Sequence, residues 1–286
     1  MRPKMIVEPY IGEFGWELFC YQGYLRKLSK DAKIIVCTNP KTRALYTDFA
    51  TEIIDYPETL PLTSLNSWMS DAVTAKAVRV WFNAKRRSVP DALPFYNDKI
   101  KKRWWMVSGP PATDQSYIKF GSSAEVLTNA GAIVPHDVIV HARNANHYQS
   151  AYRNWPSSHA MRVVMRLLEQ GYSVASVGLP ATALHVAGTT DLRDYSLSEL
   201  MAHMNSAKVF IGSQSGPTHL ATLCGLPQVI WQTCPEHATR CKVSWNPFNV
   251  PVVAFPADVS YWRQHVLWLP EVDTIANAAI AVLRDK

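Results

Sequence analysis

The chain has 286 residues, 48% of them hydrophobic, and a formal net charge of +6 at pH 7. That length and apolar content suit one large α/β domain or, more naturally, two of ordinary size; they exclude a disordered chain, and five scattered cysteines read as reduced thiols rather than a disulfide framework. No apolar run approaches the roughly 18 residues of a membrane span, and Glu8, Pro9, Glu13 and Glu17 interrupt the N-terminal run, so the expectation is a soluble, cytoplasmic protein.

In chain order, Met5–Tyr10 reads as a strand, Trp16–Leu28 as a helix, Lys33–Thr38 as a strand, Lys41–Phe49 as a helix and Glu52–Tyr56 as a strand. Such alternation predicts a parallel sheet. From Pro57 to Ala132 the pattern weakens to one clear helix, Val73–Arg87, among proline loops. Between Lys76 and Trp105 nine basic residues stand against two acidic ones, interleaved with Trp81, Phe82, Phe95, Tyr96, Trp104 and Trp105. The segment reads either as a surface for a phosphate-bearing partner or as a solvated helix face over a Trp-rich core. Order returns with a buried strand from Asp137, a loop to Trp155-Pro156, a helix over Ser158–Glu169 and a strand at Tyr172–Val177. A helix over Ser198–Asn205, a strand at Val209–Gly212, a helix over Pro217–Cys224 and a strand at Gln228–Trp231 follow. A break near Pro135 divides residues 1–134 from 135–286, with a C-terminal helix able to pack back on the first part.

The turn Gly212-Ser213-Gln214-Ser215-Gly216-Pro217 joins the strand at Val209 to its helix. It is not a nucleophile elbow, because neither serine lies midway between the glycines, and the dinucleotide and P-loop glycine patterns are absent. What remains is a helix N-terminus with Pro217 in the first turn and Ser215 or Gly216 as cap. The free N–H groups of Thr218, His219 and Leu220 are expected to offer an anion site. An ordinary capped αβ unit fits the same residues. Cys234, His237 and Cys241 have zinc-like spacing without a fourth ligand, so no metal is expected.

The run "DLRDYSLSELMAHMNSAKVFIGSQSGPTHLATLCGLPQVIW", Asp191 to Trp231, resembles the donor-binding half of the ADP-heptose:lipopolysaccharide heptosyltransferases. Upstream, "VIVHARNANHYQSAYRNWP" and "GYSVASVGLP" are similar to that family's preceding strands, so the resemblance spans about 137–231. It implies a GT-B α/β fold, with two Rossmann-like domains facing across a cleft. Residues 1–134 would bind the acceptor and 135–286 the nucleotide sugar. It also implies a metal-independent reaction with no cofactor beyond the nucleoside-diphosphate sugar itself. The turn of Ser215, Gly216, Pro217, Thr218 and His219 would hold the donor diphosphate. Gln214 stands where the family commonly has Asp, keeping a hydrogen-bonding side chain without the charge. His141-Ala142-Arg143 resembles a His-x-Arg element of the α-1,6-fucosyltransferases, in which the arginine meets the pyrophosphate. Arg143 would do so here, with His141, Arg153 and Gln214 near the sugar or phosphate.

The loop "YIGEFGWEL" then takes the position of the family's catalytic loop. Glu13 stands for its aspartate as the base that accepts the acceptor's proton, with Glu17 as the alternative. Gly12 and Gly15 would allow close backbone approach. The expected reaction is an inverting glycosyl transfer onto a hydroxyl of an acidic acceptor held by Lys85, Arg86, Arg87, Lys101, Lys102, Arg103 and Trp104. A lipopolysaccharide-like glycan stands slightly ahead of DNA carrying a hydroxymethylated base. A nucleotide-sugar-binding module without catalysis is the reading from a different class.

Overall fold

The computed structural model describes residues 2–57, 72–97, 114–121, 133–145, 151–232, 235–257 and 267–285. The chain divides into two compact units, and among the described residues the division falls between Tyr117 and Ile118. The boundary expected near Pro135 lies further along the chain: residues 118–121 and 133–134 fall in the second unit, and 122–132 are outside the described residues.

In the first unit, β1 (Lys4–Val7), β2 (Lys33–Thr38), β3 (Glu52–Asp55) and β4 (Leu93–Phe95) form a parallel sheet in the order β3-β2-β1-β4. β1 is shorter than the expected Met5–Tyr10. Its last ladder contact is Glu8 N–H to Phe95 O at 3.0 Å, after which Pro9 brings no donor. Strand β4 was not anticipated, because Pro94 sits in its middle. It tolerates the proline at the sheet's end, where one side has no strand partner among the described residues. The helix α1 begins earlier than expected. It is α-helical over Phe14–Trp16 and Gln22–Leu28, with a π-helical stretch at Glu17–Tyr21 between them. Lys41–Phe49, expected as a helix, contains only a 3-10 turn at Pro40–Leu45, begun by Asn39, whose side chain accepts from Lys41 N–H at 2.9 Å. Helix α2 (Ala72–Arg86) lays Phe82 into a core of Ile6, Ile35 and Cys37.

The second unit holds β5 (Val138–Arg143), β6 (Val174–Ser176), β7 (Ala183–Leu184), β8 (Thr190–Asp191), β9 (Val209–Ser213), β10 (Gln228–Gln232) and β11 (Val252–Pro256). The parallel order is β11-β10-β9-β5-β6-β8, while the short β7 runs antiparallel beside β5. Counted within the unit this is the 3-2-1-4-5-6 order of a Rossmann-like sheet. The chain starts at the middle with β5, moves outward through β6 and β8, then returns to β9 on β5's other side. Val138, Val140 and Ala142 of β5 and Val209 and Ile211 of β9 enter one core with α3 (Ser157–Glu169) and α7 (Val272–Arg284). The C-terminal α7 belongs to this second unit, where it packs on α3 and on β9 and β10. Helices α4 (Leu197–Ser206) and α5 (Gly216–Leu223) flank β9 in sequence, and α6 (Pro235–Thr239) follows β10, continuing as a π-helical turn at Arg240–Ser244. No described helix is long and apolar enough to cross a membrane.

Candidate functional site

Because strand side chains alternate, the burial of Val138, Val140 and Ala142 in one core puts His141 and Arg143 together on the opposite face. Both lie at the carboxyl end of β5, beside the carboxyl end of β9, where the strand order reverses. In open α/β sheets this switch point is the place where ligands bind. The structure brings the predicted residues of this half together there. Ser215 Oγ lies 3.0 Å from His141 Nδ1 and 3.2 Å from Thr218 Oγ1, and Thr218 Oγ1 donates to Ser213 O at 2.8 Å. Ser213 Oγ in turn donates to Arg153 O at 2.8 Å, which ties the loop after β5 to the turn after β9. Gln214 is buried, and its N–H donates to Trp231 O at 3.3 Å.

The helix N-terminus offers fewer donors than the sequence suggested. Ser215 is the N-cap, so the first-turn residues are Gly216, Pro217 and Thr218; proline has no N–H, and His219 N–H already donates to Ser215 O at 3.3 Å. Leu220 falls one step further inside the helix. Among the described residues the available backbone donors are therefore Gly216 and Thr218, so that the set starts two residues earlier than the expected Thr218-His219-Leu220. Ser215's hydroxyl does not cap the helix; it is held by His141 and Thr218 instead.

Charge at this end of the sheet comes from arginine. Arg143 is buried and donates from Nη1 to Asn154 Oδ1 at 3.0 Å; Asn154 also clamps Ala145 through both its N–H and carbonyl. Asn154 was not singled out from the sequence, although it stands beside the Trp155-Pro156 signal. Burial, with Arg143 beside it, lowers His141 from its ordinary 6.5 to about 3, so this imidazole is neutral. Gly178, at φ +123°, faces it; a Cβ there would stand 2.9 Å from His141 Cδ2 and 2.6 Å from Ala183 Cβ. His219 is likewise lowered to about 3, by burial first and then by the charges of Arg240, His237 and Arg153. Its ring meets Trp245 edge-on at 4.6 Å. Cys241 is buried, Cys234 lies outside the described residues, and no metal-sized cluster of three ligands occurs among those described.

The remaining predicted residues lie in the first unit. Glu13 is the N-cap residue of α1, half-buried, with its carbonyl accepting from Trp16 and Glu17 N–H and from Tyr10 Oη. Gly12 precedes it at φ +156°, where a Cβ would collide with the Tyr10 ring, so its conformation and the tyrosine together require glycine. Gly15 is buried in the helix. Glu17 is buried: Tyr46 Oη donates to its Oε1 at 2.6 Å, and burial raises its carboxyl from 4.5 to about 7 against the lowering by Tyr46 and Thr42. Glu8, which the sequence did not single out, is buried and paired with Arg79, whose Nη2 donates to Oε2 at 3.0 Å; Asn97 N–H donates to the same oxygen at 3.0 Å. This takes Arg79 out of the basic surface. Lys85 and Arg86 close α2 and Arg87 follows exposed, while Lys101, Lys102, Arg103 and Trp104 lie outside the described residues.

Two α/β units built on parallel sheets, the second with His141, Arg143 and Ser215 gathered at its switch point, give the GT-B class of fold. No protein-family model and no curated protein sequence matches the chain. Among solved structures it is similar to a glycosyl transferase family 9 protein of Veillonella parvula, at TM-score 0.61 and 14% identity, covering 100% of this chain and 99% of that one. It is similar to the E. coli ADP-heptose lps heptosyltransferase II at TM-score 0.62 and 12% identity, with 99% of each chain covered. It is also similar to the E. coli heptosyltransferase WaaC solved with ADP, at TM-score 0.56 and 12% identity, covering 100% and 99%. At such identities the likeness is one of fold.

Proposed function

We propose that the protein is a glycosyltransferase that moves a sugar from a nucleoside-diphosphate donor to a hydroxyl of an acidic acceptor. The observation that carries this reading is the switch point of the second sheet. There Arg143, His141, Ser215 and the N–H groups of Gly216 and Thr218, unbonded among the described residues, collect at the strands' carboxyl ends, in a fold shared with heptosyltransferases. Arg143 and the two amides hold the diphosphate, and neutral His141 keeps the Ser215 hydroxyl in place. Gln214 offers hydrogen bonds to the sugar, without the charge of the family's aspartate.

The chemistry is a direct displacement with inversion. The acceptor oxygen bonds to the anomeric carbon as the bond from that carbon to the diphosphate oxygen breaks; its electron pair leaves with the diphosphate, and the hydroxyl proton passes to Glu13. Glu13 suits this role better than Glu17 because it stands half-exposed at the entrance of α1, whereas Glu17 is buried against Tyr46. Preorganised donors facing the developing negative charge are worth about 3–4 kcal/mol each, so the leaving group needs no metal. The basic end of α2, with Lys85, Arg86 and Arg87, favours a polyanionic acceptor.

A thermal-shift panel of ADP, GDP, UDP and CMP, with and without EDTA, tests the reading. One nucleoside diphosphate should raise Tm in EDTA, by mass action on the native state; no shift at millimolar concentration would remove the donor site. With the donor known, Glu13→Ala should leave its Kd nearly unchanged and reduce turnover at least roughly a hundredfold. Unchanged turnover would unseat Glu13 as the base.

A further inference from the structure

Two buried histidines lie at the edge of the second sheet opposite to His141 and Arg143. His136 stands two residues before β5, and His203 lies in the last turn of α4. They are only 6% and 5% exposed, and their ring centroids are 6.0 Å apart. His136 Nε2 lies 3.0 Å from Oγ1 of Thr190, the first residue of β8, and β8 runs parallel with β5 and β6. The Val134 carbonyl accepts from the ring of His203, and the Tyr195 ring lies 5.5 Å from that ring. The segment before β5, the start of β8 and the end of α4 thus meet at this pair.

In each ring one nitrogen is held and the other is open. His136 Nδ1 and His203 Nδ1 are both buried without a hydrogen-bond partner among the described residues. A carbonyl can only accept, so the ring hydrogen of His203 sits on Nε2 and its Nδ1 carries a lone pair. One nitrogen fixed by an outer oxygen and the other open is the arrangement of a metal-ligating histidine, in which the outer bond sets tautomer and ring orientation. Buried polar atoms without a protein partner are met by a water or by an ion. Distance and charge favour the ion. With a zinc–nitrogen bond of about 2.1 Å and the ring centre about 1.1 Å further on, two imidazoles share one ion at centroid separations up to about 6.4 Å. The observed 6.0 Å lies inside that limit. Glu199, four residues before His203 and so on the same side of α4, adds a negative charge, with one oxygen committed to Ser196 N–H at 2.8 Å.

We propose that His136 and His203 bind one divalent transition-metal ion of the zinc kind through their Nδ1 atoms, with water in the remaining positions. Imidazole nitrogen suits zinc, copper and nickel, whereas magnesium and calcium require oxygen ligands. Two protein ligands fall short of the four that close a structural zinc site, so the ion is exchangeable and a chelator removes it. Bound there, it ties the entry to β5 to β8 and α4 and stabilises the second unit by mass action. It lies at the strands' amino ends, takes no part in the sugar transfer, and stands or falls separately from it.

The probe is zinc ion, titrated calorimetrically into the full chain after EDTA treatment and dialysis. One ion should bind per chain and raise Tm. His136→Gln and His203→Gln should each weaken zinc at least about tenfold, and Thr190→Val, which removes only the hydroxyl beside His136 Nε2, should weaken it about tenfold. The competing surface pair is His185, exposed and 3.9 Å from Asp191, so His185→Gln should stay within about threefold of the parent. Should the histidine variants not fold, side-chain 15N spectra of the parent carry the test: zinc should shift the Nδ1 resonances of His136 and His203 while both Nε2 atoms keep their hydrogens. No saturable zinc binding, binding lost in His185→Gln but kept in the variants of the buried pair, or unmoved Nδ1 resonances overturns the site and leaves the pair holding a water.

Discussion

Glu17 shows how one residue's burial separates two roles that its sequence position left open. Four residues after Glu13 and in the first turns of a helix, it passed as a second candidate base; the structure places its carboxyl inside the first unit, against Tyr46 and Thr42. With a folded value of about 7 against an ordinary 4.5, the neutral acid is the form the fold prefers. Below pH 4.5 folded and unfolded chains both carry the proton and stability is complete. Between 4.5 and 7 the unfolded chain has lost it while the folded chain retains it, so stability falls as pH rises, by on the order of 3 kcal/mol in total. Glu17→Gln keeps an acceptor for Tyr46 and cannot ionise. It should therefore raise the urea midpoint at pH 8 and flatten its decline between pH 5 and 7, with turnover preserved. Loss of turnover at unchanged stability would instead return Glu17 to the reaction.

At the scale of elements, what the sequence conveyed depended on whether a local signal was complete. Helix α4, expected from Ser198, begins at Leu197 behind a full capping box that the reading of the sequence did not use: Ser196 Oγ accepts from Glu199 N–H at 3.3 Å, and Glu199 accepts from Ser196 N–H at 2.8 Å. Ser196→Ala should cost about 1 kcal/mol in urea denaturation; no change would mean that packing of Met201 and Met204 alone holds the helix. Strand β4 was illegible because Pro94 argues against a strand unless its place in the sheet is known. The π-helical stretch in α1 was also hidden. Its apolar residues repeat as in an α-helix, and the wider turn coincides with the burial of all five residues from Glu17 to Tyr21, which local sequence does not reveal. The α5 amides were placed two residues too late for a similar reason, since the cap at Ser215 has an extended backbone, φ −164° and ψ 175°, and no side-chain bond.

For the whole molecule, the shifts of His141, His219 and Glu17 predict that the two units respond to acid in opposite directions. In the second, His141 and His219 hold values of about 3 against an ordinary 6.5, so between these limits the unfolded chain binds protons that the folded chain refuses, and stability is lost as pH falls below 6.5. In the first, Glu17 has the reverse sign over 4.5 to 7. Hydrogen exchange corrected for intrinsic rates should therefore show core peptides of β5 and β9 losing protection from pH 7 to pH 5, while those of β2 and α1 gain it. Parallel behaviour in both units would show that other groups dominate the linkage.

By itself the sequence determined the alternating α/β order, the parallel sheets and the strand-turn-helix at Val209 to Leu223, because strand and helix periodicities and turn residues are local properties. It also singled out Arg143, as a cation at a strand's carboxyl end, and Ser215, in a small-residue turn before a helix, with His141 and Arg153 added beside them chiefly through resemblance to known motifs. Only the tertiary structure decided that these residues share one switch point, that Glu17 is a buried acid, and that His136 and His203 meet at the other edge of the sheet. Sheet order and burial bring together residues far apart in the chain, and neither the desolvation of a charge nor its nearest neighbour is written in any single stretch of sequence.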